Sequence, residues 1–243
     1  MKLSVNDDFG IKSKYTDTSR WYVNRFINII AAQLKPGLRV LDAGAGECAY
    51  KRYFSHLDYI ATDLAVGDGD WNYTNLDAIA RLHALCFQDE SFDAVVCTQV
   101  LEHLEWPRES VKEFYRVLKP GGLLFITVPM SQNEHQVPYD FFRYTSFGIR
   151  SVCGHAGFAV IEVLPFGGLF TRWAYELPDF LSIFPPIGIT KGTFRYLDIV
   201  LIPAKAFFLV LIRSLQAILF AFDRFDKVKI APLGWSVIAE KPH

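Results

Sequence analysis

Residues 40–46 read Val40-Leu-Asp-Ala-Gly-Ala-Gly46, a short apolar run followed by an acidic residue and two glycines. An apolar run that ends in a glycine-rich turn is typical of a buried strand. Because glycine lacks a Cβ atom, Gly44 and Gly46 let the backbone approach a ligand closely. We expect a helix after this turn, ending near 53–56, whose N-terminus would offer free N–H groups and a positive dipole end.

A second acidic residue, Asp63, follows about twenty residues downstream, at the end of a second predicted strand. A carboxylate in that position can accept hydrogen bonds from both hydroxyl groups of a ribose. The turn and Asp63 together indicate a nucleotide-like cofactor. On their own, they suit a nicotinamide dinucleotide as well.

Apolar periodicity places alternating helices and strands on both sides of the turn. We predict helices over 18–33, 76–85, 107–118 and 146–155, and strands over 39–42, 58–62, 92–98, 123–128, 158–163 and 234–240. Strands that alternate with helices favour an α/β domain with a mostly parallel sheet and right-handed crossovers.

The composition excludes several classes of function. A formal net charge of -1 provides no basic stripe, so nucleic acid is not an expected partner. The four cysteines form no Cys-x-x-Cys pair, which argues against a zinc site and a disulfide framework, and we predict no metal. Residues 1–14 lack the apolar segment of a signal peptide, so we expect a cytoplasmic location.

Three further blocks follow the glycine turn. They read Ser91-Phe-Asp-Ala-Val-Val96, Val100-Leu-Glu-His-Leu104 and Glu113-Phe-Tyr-Arg-Val-Leu-Lys-Pro-Gly-Gly122. In order and spacing, the four blocks resemble the type 11 class I methyltransferases over roughly residues 36–165. The resemblance implies a Rossmann-like, doubly wound, mostly parallel seven-stranded sheet and S-adenosylmethionine as the cofactor. A nicotinamide-binding domain has no reason to carry the last three blocks.

The resemblance also implies roles for individual residues. Asp42, Gly44 and Gly46 would line the methionine end of the cofactor, and Asp63 would bind the ribose hydroxyls. Gln99, just past the strand 92–98, would lie near the sulfonium group, although a solvated strand end is an equally simple interpretation.

The sequence departs from the family pattern at three positions. Cys48 stands where a third glycine is expected, and Cys86 stands where a proline is usual. Arg81 replaces an aspartate that holds the adenine amino group, so only a backbone contact from Leu82 would remain. Losing one charge-assisted hydrogen bond costs about 1.5–3 kcal/mol, which predicts cofactor binding weakened about tenfold to a hundredfold.

The segment 129–145, after the strand 123–128, is dense in groups that could contact a methyl acceptor. Methyl transfer needs an aligned nucleophile, and a base if the acceptor is a hydroxyl. We predict His135 as that base, because an imidazole accepts protons near neutral pH, with Asp140 as a second catalytic residue. Asp140 could instead pair with Arg143, and His103 could take part or only pack.

Residues 167–230 interrupt the alternation with an aromatic, mostly helical segment, so we predict a methyltransferase domain of 1–166 plus 231–243 and a helical insert before the last strand. Lys205, Arg213 and Gln216 share one wedge of the predicted helix with residues 223–224, and the remaining surface is apolar. No run of eighteen uncharged apolar residues exists, which disfavours a transmembrane span. A lid, a homodimer interface and peripheral contact with the inner face of a membrane all remain open.

Taken together, these patterns predict a methyltransferase that uses S-adenosylmethionine. The acceptor would be an oxygen atom of a glycan, a lipid-linked molecule or another hydrophobic small molecule. The alternative is a non-catalytic methyltransferase-like module that senses the cofactor or binds a partner. The replacement of the adenine-binding aspartate by Arg81 is the reason to consider it.

Overall fold

The computed structural model describes residues 11–67, 70–183 and 196–243, in which a seven-stranded sheet is flanked by helices. The strands are β1 Arg39–Ala43, β2 Asp58–Asp63, β3 Ala78–Ile79, β4 Phe92–Thr98, β5 Leu118–Pro129, β6 Ala159–Pro165 and β7 Gly234–Glu240. The helices are α1 Ile11–Thr16, α2 Thr18–Gln33, α3 Pro107–Val117, α4 Ser146–His155, α5 Leu169–Glu176 and α6 Tyr196–Phe222.

The strand order is β3-β2-β1-β4-β5-β7-β6. Neighbouring strands from β3 through β5 are parallel, whereas β7 runs antiparallel to both β5 and β6. The predicted Rossmann-like, mostly parallel fold is therefore confirmed. The chain winds away from β1 in both directions, and in such sheets ligands bind outside the carboxyl ends of the strands at this switch point.

The sheet is buried on both faces, as a parallel sheet requires. On one face, Phe92 and Leu124 pack with Phe114 of α3, and all three are fully buried. On the other face, Ile27 and Ile30 of α2 pack with Phe54. These two layers fix the strand ends that form the site.

Two helices begin where side-chain caps are available. The Asp17 carboxylate accepts a hydrogen bond from the Arg20 N–H at 3.0 Å before α2, and the Thr145 hydroxyl accepts one from the Gly148 N–H at 3.0 Å before α4. Their bounds, and those of β4 and β7, agree with the predicted ranges.

The prediction of a helix after the glycine turn is wrong. Residues 44–57, all described, form turns and a single 3₁₀ segment, Lys51–Phe54. Cys48 adopts φ +59°, a left-handed conformation that an α-helix cannot contain. The turn therefore offers its own backbone N–H groups to a ligand, without the dipole of a following α-helix.

The prediction of a helix over 76–85 is also wrong, because this segment forms the edge strand β3 of the sheet. Thr62 pairs with Ala78, and Asp63 pairs with Ile79. Asp77 extends this pairing: its N–H donates to the Ala61 carbonyl at 2.9 Å and its carboxylate accepts from the Ala61 N–H at 2.8 Å. These bonds to β2 replace the local bonds of a helix.

Helix α6 turns the predicted polar wedge toward the protein. Gln216 is 1% exposed and donates to the Ala174 carbonyl at 2.7 Å, and Arg213 donates to the Tyr15 carbonyl. Just after the helix, buried Asp223 accepts hydrogen bonds from the N–H groups of Gly168 and Thr171, each at 3.0 Å. The polar groups of this segment therefore anchor it.

The apolar side of α6 consequently faces outward. Phe207 and Val210 are 66% and 67% exposed, and Leu211, Leu215 and Ile218 are also exposed. The stretch Ile202–Phe225 is long and apolar enough to cross a membrane, and only 17% of its apolar window is buried. This differs from the sequence interpretation, in which the charged residues disfavoured a span. We call these five residues the α6 apolar face.

Candidate active site

A cleft of about 710 Å³ opens at the carboxyl ends of β1, β2 and β4. Most of the residues predicted for the site line it: Gly44, Gly46, Asp63, Leu82, Gln99 and His135. Two predicted residues, Asp42 and Asp140, lie behind the walls instead. The cleft is therefore built from the glycine turn on one side and the loop after β5 on the other.

The glycine turn is shaped by positive φ angles and by close contacts. Gly44 has φ +86°, and a Cβ atom there would lie 2.5 Å from Val100 Cγ2, so only glycine fits. The Gly44 N–H donates to the Thr62 carbonyl at 2.8 Å, which ties the turn to β2. Cys48 also has a positive φ, which explains why a glycine was expected at this position.

Asp63 holds the far end of the same turn. Its Oδ2 accepts the Gly46 N–H at 3.0 Å, and its Oδ1 accepts the Ala65 N–H at 2.8 Å. The carboxylate is half-buried at the cleft wall and retains lone pairs on both oxygens. It can therefore accept further hydrogen bonds from a pair of hydroxyls while the backbone keeps it oriented.

Asp42 lies beneath the turn and is 1% exposed. The Tyr59 hydroxyl donates to its Oδ2 at 2.5 Å, and its Oδ1 has no hydrogen-bond partner within the described ranges. Burial raises the pKa of this carboxyl to about 7. Asp42 therefore supports the turn from below, and a direct contact with the cofactor stays a prediction.

Gln99 lies where β4 enters the cleft, with φ +54°. Its backbone N–H donates to the Thr127 carbonyl at 2.9 Å, and its side-chain amide donates to the Thr127 hydroxyl at 3.2 Å. A non-glycine residue held in a left-handed conformation is costly and is often found at functional sites. The β5 contacts fix Gln99 beside the glycine turn.

One of the three departures from the family pattern, Arg81, lies at the end of the cleft that the sequence predicts to hold the adenine. Arg81, Leu82 and His83 all line it, and Leu82 is 5% exposed. The ring of His83 contacts Trp106 edge to face, with centroids 5.1 Å apart. An arginine thus occupies the cleft wall where the family has an aspartate.

At the other end of the cleft, two imidazoles meet. The rings of His103 and His135 contact each other edge to face, with centroids 4.7 Å apart. His103 Nδ1 lies 2.5 Å from the Tyr139 carbonyl, and His135 Nδ1 lies 3.0 Å from the Asn133 carbonyl. His103 and His135 are distant in the sequence, and only the fold brings them together.

Asp140 and Arg143 form the predicted pair. The guanidinium donates hydrogen bonds of 2.7 and 2.8 Å to the two carboxylate oxygens, which holds the pKa of Asp140 well below its usual range. Asp140 also accepts the backbone N–H of His135 at 3.0 Å, and its side chain is 3% exposed. Asp140 therefore fixes the loop that carries His135.

Glu102 precedes His103 in the block Val100-Leu-Glu-His-Leu104. It is fully buried, and neither carboxylate oxygen has a hydrogen-bond partner in the part of the chain that the structure describes. Burial raises its pKa to about 8. Its Oε1 lies 4.0 Å from His103 Nε2.

Comparison with known families gives this geometry a context. Residues 41–126 match a family described as a methyltransferase domain. The chain carries a class I methyltransferase domain of type 11. The match spans the glycine turn, Asp63, Gln99 and the first imidazole of the pair, and it confirms S-adenosylmethionine as the cofactor of the domain.

Curated relatives share part of this methyltransferase domain. A demethylmenaquinone methyltransferase of Renibacterium salmoninarum is 36% identical over 115 residues, which cover 45% of this chain and 47% of the relative. A ubiquinone biosynthesis O-methyltransferase of Xanthomonas campestris pv. campestris is 32% identical over 121 residues, covering 42% and 47%. The chain thus spans about half the length of the curated relatives it matches.

Solved structures support the fold. A chain in the complex between the Haloferax volcanii Trm112 methyltransferase activator and a methyltransferase aligns with a TM-score of 0.57 and 18% identity, over 96% of this chain and 93% of that chain. At this identity the likeness shows the fold alone.

Proposed function

We propose that this methyltransferase domain transfers the methyl group of S-adenosylmethionine to an oxygen of a small hydrophobic acceptor. The main observation behind this proposal is that the glycine turn, Asp63 and the imidazoles of His103 and His135 line the same cleft. One end thus offers groups suited to a nucleoside, and the other offers groups suited to a hydroxyl.

The cofactor roles follow the geometry. Asp63 has free lone pairs for the ribose hydroxyls. Gly44 and Gly46 supply the positive φ angles of the turn, which lines the part of the cleft where the methionine end would lie. Asp42 would stabilise this turn from beneath. Gln99 would lie near the sulfonium group, and Leu82 would contact the adenine through its backbone. When bound, S-adenosylmethionine supplies an electrophilic methyl group.

In the transfer itself, the acceptor oxygen forms a bond to the methyl carbon while the bond between this carbon and sulfur breaks. The products are a methyl ether and S-adenosylhomocysteine, and the hydroxyl proton must leave. We propose His135 as the group that accepts it, because its ring lines the cleft. Asp140 lies behind the wall, so it would act as a positioning residue that holds the His135 loop.

An acceptor of quinone-precursor type is supported by the names of the two curated relatives, and oxygen as the methylated atom is supported by the name of one of them, an O-methyltransferase of ubiquinone biosynthesis. Hydrophobic acceptors of this kind partition into bilayers. The α6 apolar face supports peripheral binding to a membrane, which for a cytoplasmic protein would be the inner face. Residues 167–230 would then act as a membrane-contact insert on the domain of 1–166 plus 231–243.

Calorimetry with S-adenosylmethionine and S-adenosylhomocysteine tests the proposal. We expect binding by the wild type and at least a tenfold loss in Asp63→Ala, about the loss for a charge-assisted hydrogen bond. Asp58→Ala, at the exposed start of the same strand, is the matched control and should bind normally. If the wild type binds neither ligand, the non-catalytic module that binds a partner, the alternative motivated by Arg81, replaces this proposal.

A further inference from the structure

Three side chains that commonly bind metals converge at the acceptor end of the cleft. The ligand atoms of Glu102, His103 and His135 all lie within 4.8 Å of one another. His103 and His135 line the cleft, and Glu102 lies behind His103. One buried carboxylate with two imidazoles is a common set of protein ligands for a divalent transition metal.

The hydrogen bonds of the imidazoles leave the correct nitrogens free. A carbonyl oxygen can only accept, so His103 Nδ1 must donate to Tyr139 and His135 Nδ1 must donate to Asn133. In the neutral form of each ring, Nε2 then carries the lone pair that can bind a metal. Asp140 Oδ2, at 3.5 Å from His135 Nδ1, adds a carboxylate behind the second ring. Metal-binding histidines are oriented by outer partners of this kind.

Glu102 gives a second, independent indication. A fully buried carboxylate normally has hydrogen-bond partners, and none contacts either oxygen of Glu102 within residues 11–67, 70–183 and 196–243. The N–H groups of Phe141 and Phe142 instead donate to the backbone carbonyl of Glu102, at 2.8 and 3.2 Å. A cation between the carboxylate and the two imidazoles would satisfy both carboxylate oxygens.

The geometry points to a binding site for one divalent cation of the zinc class, held by the Glu102 carboxylate, His103 Nε2 and His135 Nε2. Three protein ligands leave a position open toward the cleft, as in catalytic zinc sites. Bonds of about 2.1 Å in a tetrahedral site place the ligand atoms about 3.4 Å apart, so the ligands must approach one another by up to about 1.4 Å on binding. His135 lies on a loop, which can supply this movement.

This site departs from the sequence prediction of no metal. That prediction rested on the spacing of the cysteines, and the buried cysteines Cys48, Cys97 and Cys153 are not among the three residues of the cluster. Glu102 and His103 are adjacent in a short 3₁₀ turn, whereas His135 comes from the loop after β5. Only the tertiary fold brings the third ligand to the other two.

The inference rests on the proposed function for the role of the cation. The acceptor oxygen would take the open position on the cation, which would lower the pKa of the acceptor hydroxyl. The proton would then leave to solvent before the oxygen–carbon bond forms and the carbon–sulfur bond breaks. His135 would then hold the cation and would not itself accept the proton.

Titration of the untagged, chelator-treated chain with ZnCl₂, followed by calorimetry, tests the site. A Cys86→Ser background removes the exposed thiol. We expect one equivalent to bind, with affinity about a hundredfold weaker or more in His103→Asn, His135→Asn and Glu102→Gln. His155→Asn, an exposed histidine on α4, is the control and should bind as the background does.

Cobalt gives an independent readout of the geometry. Adding CoCl₂ to the same background should produce the intense visible absorption of a low-coordinate site, and each ligand variant should lose it. Thermal unfolding of each apo variant confirms that it is folded. Weak zinc binding that is equal in all folded variants, or zinc affinity unchanged by Glu102→Gln, would overturn the inference.

The two proposals fail separately. Zinc binding and the cobalt spectrum require no methyl donor, and binding of S-adenosylhomocysteine requires no metal. A chain that binds zinc but not S-adenosylhomocysteine retains this site and loses the proposed function. A chain that binds S-adenosylhomocysteine but shows no specific zinc site leaves His135 as the proton acceptor.

Discussion

Tyr59 and Asp42 are joined by a hydrogen bond of 2.5 Å across the neighbouring strands β1 and β2, beneath the glycine turn. Asp42 is deeply buried, and its pKa is raised to about 7, so the folded protein keeps this carboxyl protonated at pH values where the unfolded chain has lost the proton. Stability from this group is therefore present below about pH 4 and is lost as the pH rises to about 7.

The Asp42→Asn variant tests this linkage. Asparagine keeps an oxygen for the Tyr59 hydroxyl and cannot ionise, so the difference in Tm between variant and wild type should grow in favour of the variant from about pH 4 to about pH 7 and then level off. Thermal unfolding of the ligand-free proteins across this range measures it. Parallel Tm profiles for the two proteins would contradict a raised pKa at Asp42.

The glycine turn can be tested by an alanine substitution at Gly44, with the same substitution at Gly37 as the control. Gly44 and Gly37 both have positive φ, +86° and +82°, but a Cβ atom at Gly44 would collide with Val100 and one at Gly37 would meet nothing within 4 Å. Gly37→Ala should cost about 1–2 kcal/mol of unfolding free energy, the usual cost of a left-handed residue. Gly44→Ala should cost more, and it alone should abolish binding of S-adenosylhomocysteine.

Urea denaturation and calorimetry separate these two effects. Equal losses of stability in the two alanine variants would show that the contact with Val100 relaxes freely. Normal ligand binding by folded Gly44→Ala would show that the contact with Val100 does not alter the cofactor site, which would contradict this prediction.

Arg81 offers the reverse experiment, a gain of affinity. The family has an aspartate at this position, and Arg81 lines the cleft. Arg81→Asp should restore the charge-assisted hydrogen bond to the adenine amino group and tighten binding of S-adenosylmethionine about tenfold to a hundredfold. Arg108→Asp, an exposed residue on α3 with the same change of charge, should leave affinity unchanged. Weaker binding in Arg81→Asp would mean that the arginine itself contacts the cofactor.

The sequence predicted the parts of the site that depend on local pattern. The strand before Gly44, Asp63 at the end of β2 and the position of Gln99 after β4 all follow from apolar runs and their endings. The 76–85 segment could not be predicted in this way, because its bonds to β2 are non-local. The Glu102–His103–His135 cluster was missed for the same reason.

Helix α6 shows a further limit of pattern reasoning. Helical periodicity correctly placed Arg213 and Gln216 on one side of the helix. It does not determine which side of the helix packs against the rest of the protein. In soluble helices the apolar side is normally the buried one. Here buried carbonyl and N–H groups in and before α5 require polar partners, and Gln216 and Asp223 supply them. The apolar side is thereby left outside.

The α6 apolar face leads to a prediction about membranes. Burying Phe207 and Val210 in lipid contributes about 1.5–3 kcal/mol each, so the double variant Phe207→Gln/Val210→Gln should bind vesicles of phosphatidylcholine and phosphatidylglycerol at least about tenfold more weakly than wild type. The control is Phe147→Gln/Ile161→Gln, which removes two exposed apolar side chains from α4 and β6 and should bind as wild type does. Co-sedimentation with vesicles measures the bound fraction, and calorimetry with S-adenosylhomocysteine shows that each variant keeps its cofactor site. If the wild type does not bind vesicles but forms a dimer that the α6 double variant cannot form, the α6 apolar face binds a second copy of the chain instead.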